Sequence, residues 1–373
     1  MDFDFSDDQQ QLREAARRWV EKAYTFEHRR AAVVQGGGFS RDTWNALAEL
    51  GLTALNVPEA HGGMGMGAVE AMVVMEEMGR GMVLEPLAQS FMAARLLSQY
   101  APQSVQAEWL PRIASGEALV VLAHQERRAR YHLHACESKA VQTHNGYTLT
   151  AQKSIVPAGD QADAFVVPAL LDGQLALFLL ERNAPGVTAR GYLTQTGARA
   201  AEVEATQSPA TLITLQGLAA LELAVDTGSA AVCAEAVGVM DAVLHITADY
   251  LNQRKQFGVA IGSFQALRHR LADMKMQLEL ARSMSYYASL QLDTPPEQRR
   301  RAIARARVQL SQSMRFVGQQ AVQLHGGIGV TDEYIVSHQF KHLSQLEMTY
   351  GDGLHHLGEL SARMLETAGV GEA

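Results

Sequence analysis

The amino-acid sequence predicts an α+β chain ordered helical, then β, then helical. Three observations predict it. Apolar residues recur at helical spacing up to about residue 117 and again from about residue 223. Between these zones, short apolar runs sit among Gly, Asp and Asn turns with no helical pattern separating them, which reads as antiparallel sheet. The final stretch holds long helical patterns joined by short connections, the signature of an antiparallel bundle. The expected domains are an N-terminal all-helical domain over 1–117, a middle antiparallel β-domain over 118–222, and a C-terminal four-helix bundle over 223–373.

In the first domain, Ser6-Asp7-Asp8-Gln9 has the form of a capping box, in which Ser6 accepts from the N3 amide while Gln9 reaches back. Leu12, Ala15, Ala16, Trp19 and Val20 follow on one face. A second helix runs from Ser40 through Trp44, Leu47 and Leu50, with Gly51 placed to stop it. Pro58, Gly62, Gly63 and Gly65 mark Val57–Gly65 as a loop, and Glu70 to Arg80 returns to helix. In the middle domain, Tyr147–Thr150, Ala164–Val167 and Leu175–Leu179 read as strands. Four faces define the bundle. They are Val232, Ala236, Val239, Val243, Ile246 and Tyr250; Leu267, Leu271, Met274, Leu278 and Ala281; Leu310, Met314, Val317 and Ala321; and Leu354, Leu357, Ser361 and Met364. The Pro295-Pro296 pair ends the second of them.

Of 373 residues, 47% are hydrophobic and 19% charged, which supplies large cores and excludes a disordered chain. No uninterrupted apolar run reaches about eighteen residues, so no membrane insertion is expected. The acidic opening Met1–Asp8 is the reverse of a secretory signal, and a soluble cytoplasmic protein is the expectation. Cys136 and Cys233 offer neither a disulfide framework nor metal-ligand spacing and read as buried thiols. A net charge of -8 argues against nucleic acid as a partner. It leaves room for a small anionic ligand held by local basic groups.

Two motifs carry candidate chemistry. Arg254-Lys255-Gln256-Phe257-Gly258, followed by Phe264-Gln265, sits where a helix ends. Arg254 offers a bidentate fork for phosphate oxygens, or it is a cation favouring the helix C-terminus. Gln323-Leu324-His325-Gly326-Gly327-Ile328-Gly329 lets backbone amides approach a phosphate or a ring edge, or it ends a helix. It lacks the strand-then-helix setting of a dinucleotide fingerprint. Smaller features read as packing or surface. His338 and His342 lie at i, i+4 with no third ligand and read as a solvated helix face. Arg299, Arg300, Arg301, Arg305 and Arg307 read as a wet face or subunit contact, and His325 as packed.

Together these stretches resemble the acyl-CoA dehydrogenase family over essentially the whole chain. The resemblance rests on Met1-Asp2-Phe3, Gly51-Leu52 to Gly62-Gly63, and Glu76-Glu77-Met78-Gly79-Arg80. It continues in Gly146–Leu149 with Lys153, Gly159 and Ala162-Asp163. Its most specific part is Tyr250, Arg254, Gln256-Phe257-Gly258, Phe264-Gln265 and Leu271–Met274, completed by Gln323, Gly326-Gly327, Gly329 and Glu333-Tyr334.

The resemblance implies FAD held non-covalently at a subunit interface, between β-domain and bundle. Arg254, Gln256, Phe257 and Gln265, with Gln323, Gly326 and Gly327, would reach the FAD of a neighbouring subunit. Leu122 to Glu126, including Gln125, and Ile155 to Pro157 would face the isoalloxazine. It implies α,β-dehydrogenation of an acyl-CoA thioester, a homo- or hetero-oligomer such as a dimer or tetramer, and electron-transfer flavoprotein or a similar acceptor.

The chain departs from the family where the base usually stands. Tyr350 occupies the place of the usual glutamate, and Gly228, followed by Ser229, occupies the alternative one. Pro157 lacks an N–H that a flavin could use. An unperturbed phenol is protonated at neutral pH, so Asp352, between Gly351 and Gly353, is the nearest candidate for catalytic base. The competing reading makes Asp352 the cap of the following helix. Two alternatives to a dehydrogenase accompany it: a non-catalytic subunit that completes FAD sites in a heteromeric enzyme, and a flavin oxidase or monooxygenase.

Overall fold

A computed structural model of the chain describes residues 5–144 and 146–368; the Met1-Asp2-Phe3 opening lies outside the described residues. The chain forms two compact units. One comprises Met1–Arg29, Met72–Val83 and Ser229–Ala373, and the other Arg30–Ala71 and Leu84–Gly228.

The second unit contains the helices α3 (Arg41–Glu49), α5 (Leu87–Tyr100) and α6 (Gln103–Ala114). Ser40 caps α3, its Oγ accepting from the Thr43 amide at 3.2 Å, and Gly51 closes the helix in the left-handed region at φ 76°. Seven strands follow: β1 (Val120–Leu122), β2 (Lys139–Thr143), β3 (Gly146–Pro157), β4 (Ala164–Leu171), β5 (Gln174–Glu181), β6 (Val187–Leu193) and β7 (Arg199–Thr214). Strands β4, β2, β3, β7 and β5 pair in a closed circuit, because β4 also pairs with β5; β1 extends β4 and β6 extends β7. Most pairings are antiparallel, as expected from the sequence. The short β1–β4 and β2–β4 pairings are parallel, since other chain elements intervene between each pair. Phe165 and Val167 on β4 and Leu177 and Phe178 on β5 are all fully buried. The Leu122 amide donates to Gln89 Oε1 on α5 at 3.0 Å.

The first unit holds α1 (Asp7–Ala23), most of α4 (Ala68–Gly81), the later part of α7 (Gly217–Gln253), and α8 (Gln265–Leu290), α9 (Pro296–His325), α10 (Ile335–Met348) and α11 (Gly353–Ala368). The capping box at Ser6 is present, with Ser6 Oγ accepting from the Gln9 amide at 3.2 Å and Gln9 Oε1 from the Ser6 amide at 3.1 Å. Helix α9 packs against α8, α10 and α11. The four faces expected for the bundle lie on α7, α8, α9 and α11. Helix α10 is an addition, hidden in sequence because Gln339 and His342 sit among the apolar residues of its buried face. The face expected on α11 is exposed in the protomer, with Leu354 at 80% and Met364 at 72% exposure.

Among the described residues, α7 alone is long and apolar enough to cross a membrane, and 83% of its most apolar window is buried within the protein. It meets α4 at a crossing made of glycine. A Cβ on Gly79 would strike the Glu235 backbone, and one on Gly238 the backbone of Glu76 and Arg80. An ion network surrounds this crossing. Glu76 meets Arg13 at 3.3 Å and Arg282 at 3.5 Å, while Asp241 meets Arg80 at 2.8 Å and Arg282 at 3.2 Å. Glu77 takes Arg17 at 2.7 Å and Arg80 at 3.0 Å.

Burial pushes the Asp241 carboxyl up, but Arg80 and Arg282 outweigh it and hold the group below its ordinary value. At Glu76 burial wins, and despite Arg282 and Arg13 its pKa rises to about 7. A carboxyl raised in the folded state contributes fully below its unfolded pKa and loses that contribution as pH climbs through the folded one. Glu76→Gln should therefore gain stability relative to the parent chain between pH 5 and pH 8, by up to about 3 kcal/mol. Urea midpoints of both proteins across that range test it, and a difference that does not change with pH refutes it.

Candidate functional site

Three places carry the residues singled out in the sequence. The first is the end of the bundle where α7 and α9 finish and α8 starts. After α7, strands β8 (Lys255–Gln256) and β9 (Val259–Ala260) pair as a minimal hairpin. Its two turn residues, Phe257 and Gly258, have φ of 54° and 77°, so both occupy the left-handed region that a type I′ turn demands. Phe257 is thereby thrust outward and is 90% exposed, its ring edge-on to Phe264 at 6.1 Å. Arg254, Gln256 and Gln265 are exposed beside it. Helix α8 begins at Gln265 without a side-chain cap, leaving its first amides to other acceptors.

Tyr250 ties this hairpin to the end of α9. Its ring stacks on His325 at 4.4 Å and its hydroxyl donates to the His325 carbonyl at 3.3 Å. His325 is buried, as expected, and its ring also meets Tyr334 in a tilted contact at 5.3 Å. Gln323, Gly326 and Gly327 are exposed there. No atom lies within 4 Å of where a Cβ on either glycine would sit. Gly326 holds φ 64° and ψ -139°, a region open essentially to glycine alone.

The second place is a face of the β unit. Glu126 is buried just after β1, and Lys153 Nζ and Ser138 Oγ both donate to its Oε1 at 2.6 Å. The Glu137 amide donates to its Oε2 at 2.7 Å. Burial alone would raise this carboxyl; the Lys153 charge and the hydrogen bonds pull it down to about 2. Just beyond Lys153, β3 bulges, Ile155 takes φ 52°, and its side chain turns outward at 52% exposure. The Ser154 amide donates to the Gln125 carbonyl at 2.8 Å. Of the stretches expected to face a flavin, Leu122, Ala123, Glu126 and Val156 are buried, Gln125 and Pro157 are half-buried, and Ile155 is exposed. Sequence reasoning missed Glu202, which receives Ser154 Oγ at 3.1 Å and the Tyr192 hydroxyl at 3.3 Å and meets Arg127 at 3.4 Å.

The third place is the turn between α10 and α11. Tyr350 holds φ 60° and Gly351 φ 125°. Asp352 is half-buried, and its Oδ1 accepts from the His355 amide at 2.8 Å, the bond of a helix N-cap. Gly228, at the alternative base position, lies inside α7.

Several surface readings change. His342 is buried, with Nε2 at 2.7 Å from Glu235 Oε1, and His338 packs against Phe26, so this pair is not a solvated face. Arg299 and Arg307 are buried rather than wet. Among the described residues no group of three His, Cys, Asp or Glu could hold a metal ion. Cys233 is buried and its thiol is pushed up to about 11 by that burial, while Cys136 is half-buried.

Family models match two regions: acyl-CoA dehydrogenase, N-terminal domain, over residues 6–117, and acyl-CoA dehydrogenase, C-terminal domain, over residues 216–365. The chain belongs to the acyl-CoA dehydrogenase family. Acyl-CoA dehydrogenase FadE27 of Mycobacterium tuberculosis is 27% identical over 378 residues, 98% of this chain and 100% of the relative. A solved steroid ACAD variant superposes with a TM-score of 0.90 at 29% identity, covering 97% of this chain and 99% of the other. The ChsE4-ChsE5 complex of Mycobacterium tuberculosis gives 0.91 at 26%, covering 98% and 99%. The chain is thus an oxidoreductase of the acyl-CoA dehydrogenase type, the class acting on CH–CH bonds.

The Glu126–Lys153 pair underpins the β-face, so its removal should be costly. Lys153→Met should destabilise the chain by about 3–5 kcal/mol in urea unfolding, because Glu126 is left buried without its cation. The double variant with Glu126→Gln should recover much of the loss, and a double variant no more stable than Lys153→Met contradicts this account.

Proposed function

We propose that this chain catalyses FAD-dependent α,β-dehydrogenation of an acyl-CoA thioester in an oligomer whose flavin sits across a subunit contact. The observation that carries the reading is the bundle end. It offers an exposed guanidinium, an outward aromatic ring, an uncapped helix start and two glycines with open space above them. These are groups that bind a phosphate-bearing, aromatic cofactor, and in the protomer they face away from its own core.

In this reading Arg254 pairs with the flavin's phosphates, Phe257 contacts its tail, and Gln256, Gln265, Gln323, Gly326 and Gly327 supply hydrogen bonds and close backbone approach. Gln125, Ile155 and Pro157 form the surface for the ring system; Ile155 offers apolar contact, and Pro157 contact without a donor. FAD, when bound, supplies a hydride acceptor. The Asp352 carboxylate takes the thioester's α-proton, held at the start of α11 by the His355 amide. The exposed stripe of Leu354, Leu357 and Met364 on α11 supports association, with a second copy or a related subunit covering it. Electron-transfer flavoprotein or a similar acceptor would then reoxidise the enzyme.

Arg254→Ala should weaken flavin binding by about tenfold to a hundredfold, the loss of one charge-assisted phosphate contact. Gel filtration at micromolar protein should then strip the flavin, and full stoichiometric retention refutes the assignment. Asp352→Asn keeps shape and an acceptor but cannot take the proton, and should slow anaerobic flavin bleaching by an accepted acyl-CoA by about a hundredfold or more. A wild-type rate in that variant assigns the base elsewhere. Absence of bleaching by any thioester in the parent chain favours instead a subunit that completes FAD sites for a catalytic partner.

A further inference from the structure

We propose that Arg307 is the positioning residue of the α10–α11 turn, fixing where the Asp352 carboxylate stands; this rests on the reading of Asp352 as base given above. Arg307 projects from the middle of α9 and is fully buried. Its Nη2 lies 3.1 Å from the Leu346 carbonyl, 3.0 Å from Glu347, 2.8 Å from Thr349 and 2.8 Å from Gly351. The first two belong to the last turn of α10, whose carbonyls have no partner within the helix. A cation there also meets the negative end of the helix dipole. A cap would stop at those two. Arg307 reaches on to Thr349 and Gly351, so one nitrogen gathers the helix end and both flanks of Tyr350.

That turn needs a clamp because its backbone is unfavourable. Tyr350 sits in the left-handed region, a strained conformation that persists only where the surroundings over-determine it. Gly351 at φ 125° has no room for a side chain: a Cβ would lie 2.6 Å from His355 Cδ2 and 2.7 Å from His356 Nε2. Beyond the turn the chain is pinned again. The Gly353 amide donates to Glu347 Oε1 at 3.3 Å, that oxygen meets Arg315 at 3.1 Å, and Asp352 Oδ1 holds the His355 amide. Burial first, then the charge of Arg307, with His355 and Arg300, pushes His356 down to about 2, so its ring stays neutral against Gly351. Asp352 therefore stands between two fixed points, and the one on its N-terminal side is Arg307.

The test uses the flavin-loaded protein with Arg307→Met and Arg307→Lys. In the Met variant, amides of residues 353–356 should exchange with solvent at least about tenfold faster, while amides of α1 and α4 keep parent rates. Flavin stoichiometry should hold. The limiting rate of anaerobic bleaching by acyl-CoA should fall by about a hundredfold with an unchanged half-saturating thioester concentration, the mark of a misplaced base. Lys, which restores the cation, should recover most of both losses. If Met does not fold, Arg307→Gln carries the same readouts. Parent exchange rates in the turn of Met or Gln overturn the proposal, as does a Lys variant no better than Met. If the parent chain bleaches with no thioester, or Asp352→Asn bleaches normally, the reading of Asp352 fails; the exchange rates then decide on the clamp by themselves.

Discussion

The buried carboxylate of Glu126 is the interaction on which the β-face depends. A charge so far from water is tolerable only if donors from the surrounding chain converge on it. They come from Lys153 on β3 and from Glu137 and Ser138 ahead of β2. Because Lys153 must reach inward at that point, β3 cannot slide in register. One of its two irregularities against β7 falls between Lys153 and Val156, and Ile155 is turned to the surface. Ser154, next to the lysine, extends the same fixity outward through Glu202 to Tyr192 and Arg127. An exposed apolar residue and a chain of polar groups around it thus follow from one charge that had to be neutralised.

The helical unit obeys the same rule with different residues. Gly79 and Gly238 bring α4 and α7 so close that no side chain could separate them. The charges nearby are consequently crowded, and five arginine–carboxylate contacts among Arg13, Arg80, Arg282, Glu76 and Asp241 or Glu77 satisfy them. Not every member gains equally. Asp241 keeps two guanidiniums and stays ionised, whereas Glu76 suffers more from burial than its partners repay.

Local rules were legible in the sequence wherever one residue type has one physical use. Ser6 with Gln9, Ser40 with Gly51, and the strands around Leu149, Phe165 and Phe178 follow from capping and periodicity. The close turn at Phe257-Gly258 and the packed His325 were legible, though not the β8–β9 hairpin that makes the turn or the stacking of Tyr250 on His325. What stayed hidden were long-range partners. Arg307 reads as one arginine in a basic stripe, and only the fold shows that its stretch of α9 points inward. Glu202 carries no motif at all. Helix α10 escaped because Gln339 and His342 break an apolar face that is nonetheless buried. The family resemblance reached the bundle end because that surface is written in contiguous residues, and it fell silent at Tyr350, where this chain departs.

On the proposal that Asp352 is the base, that departure changes what determines its position. A glutamate in a turn can place its carboxylate by side-chain rotation, having one more rotatable bond than aspartate. Asp352 has the shorter side chain, and one oxygen is committed to the His355 amide. Its location is therefore inherited from the backbone, and the backbone conformation is inherited from groups outside the turn. Gly351 permits the conformation by lacking a side chain, and Arg307 enforces it by holding the carbonyls on either side of Tyr350. On that proposal the buried guanidinium would govern proton transfer without touching the substrate, and the strain at Tyr350 would serve to deliver a short carboxylate from a fixed main chain.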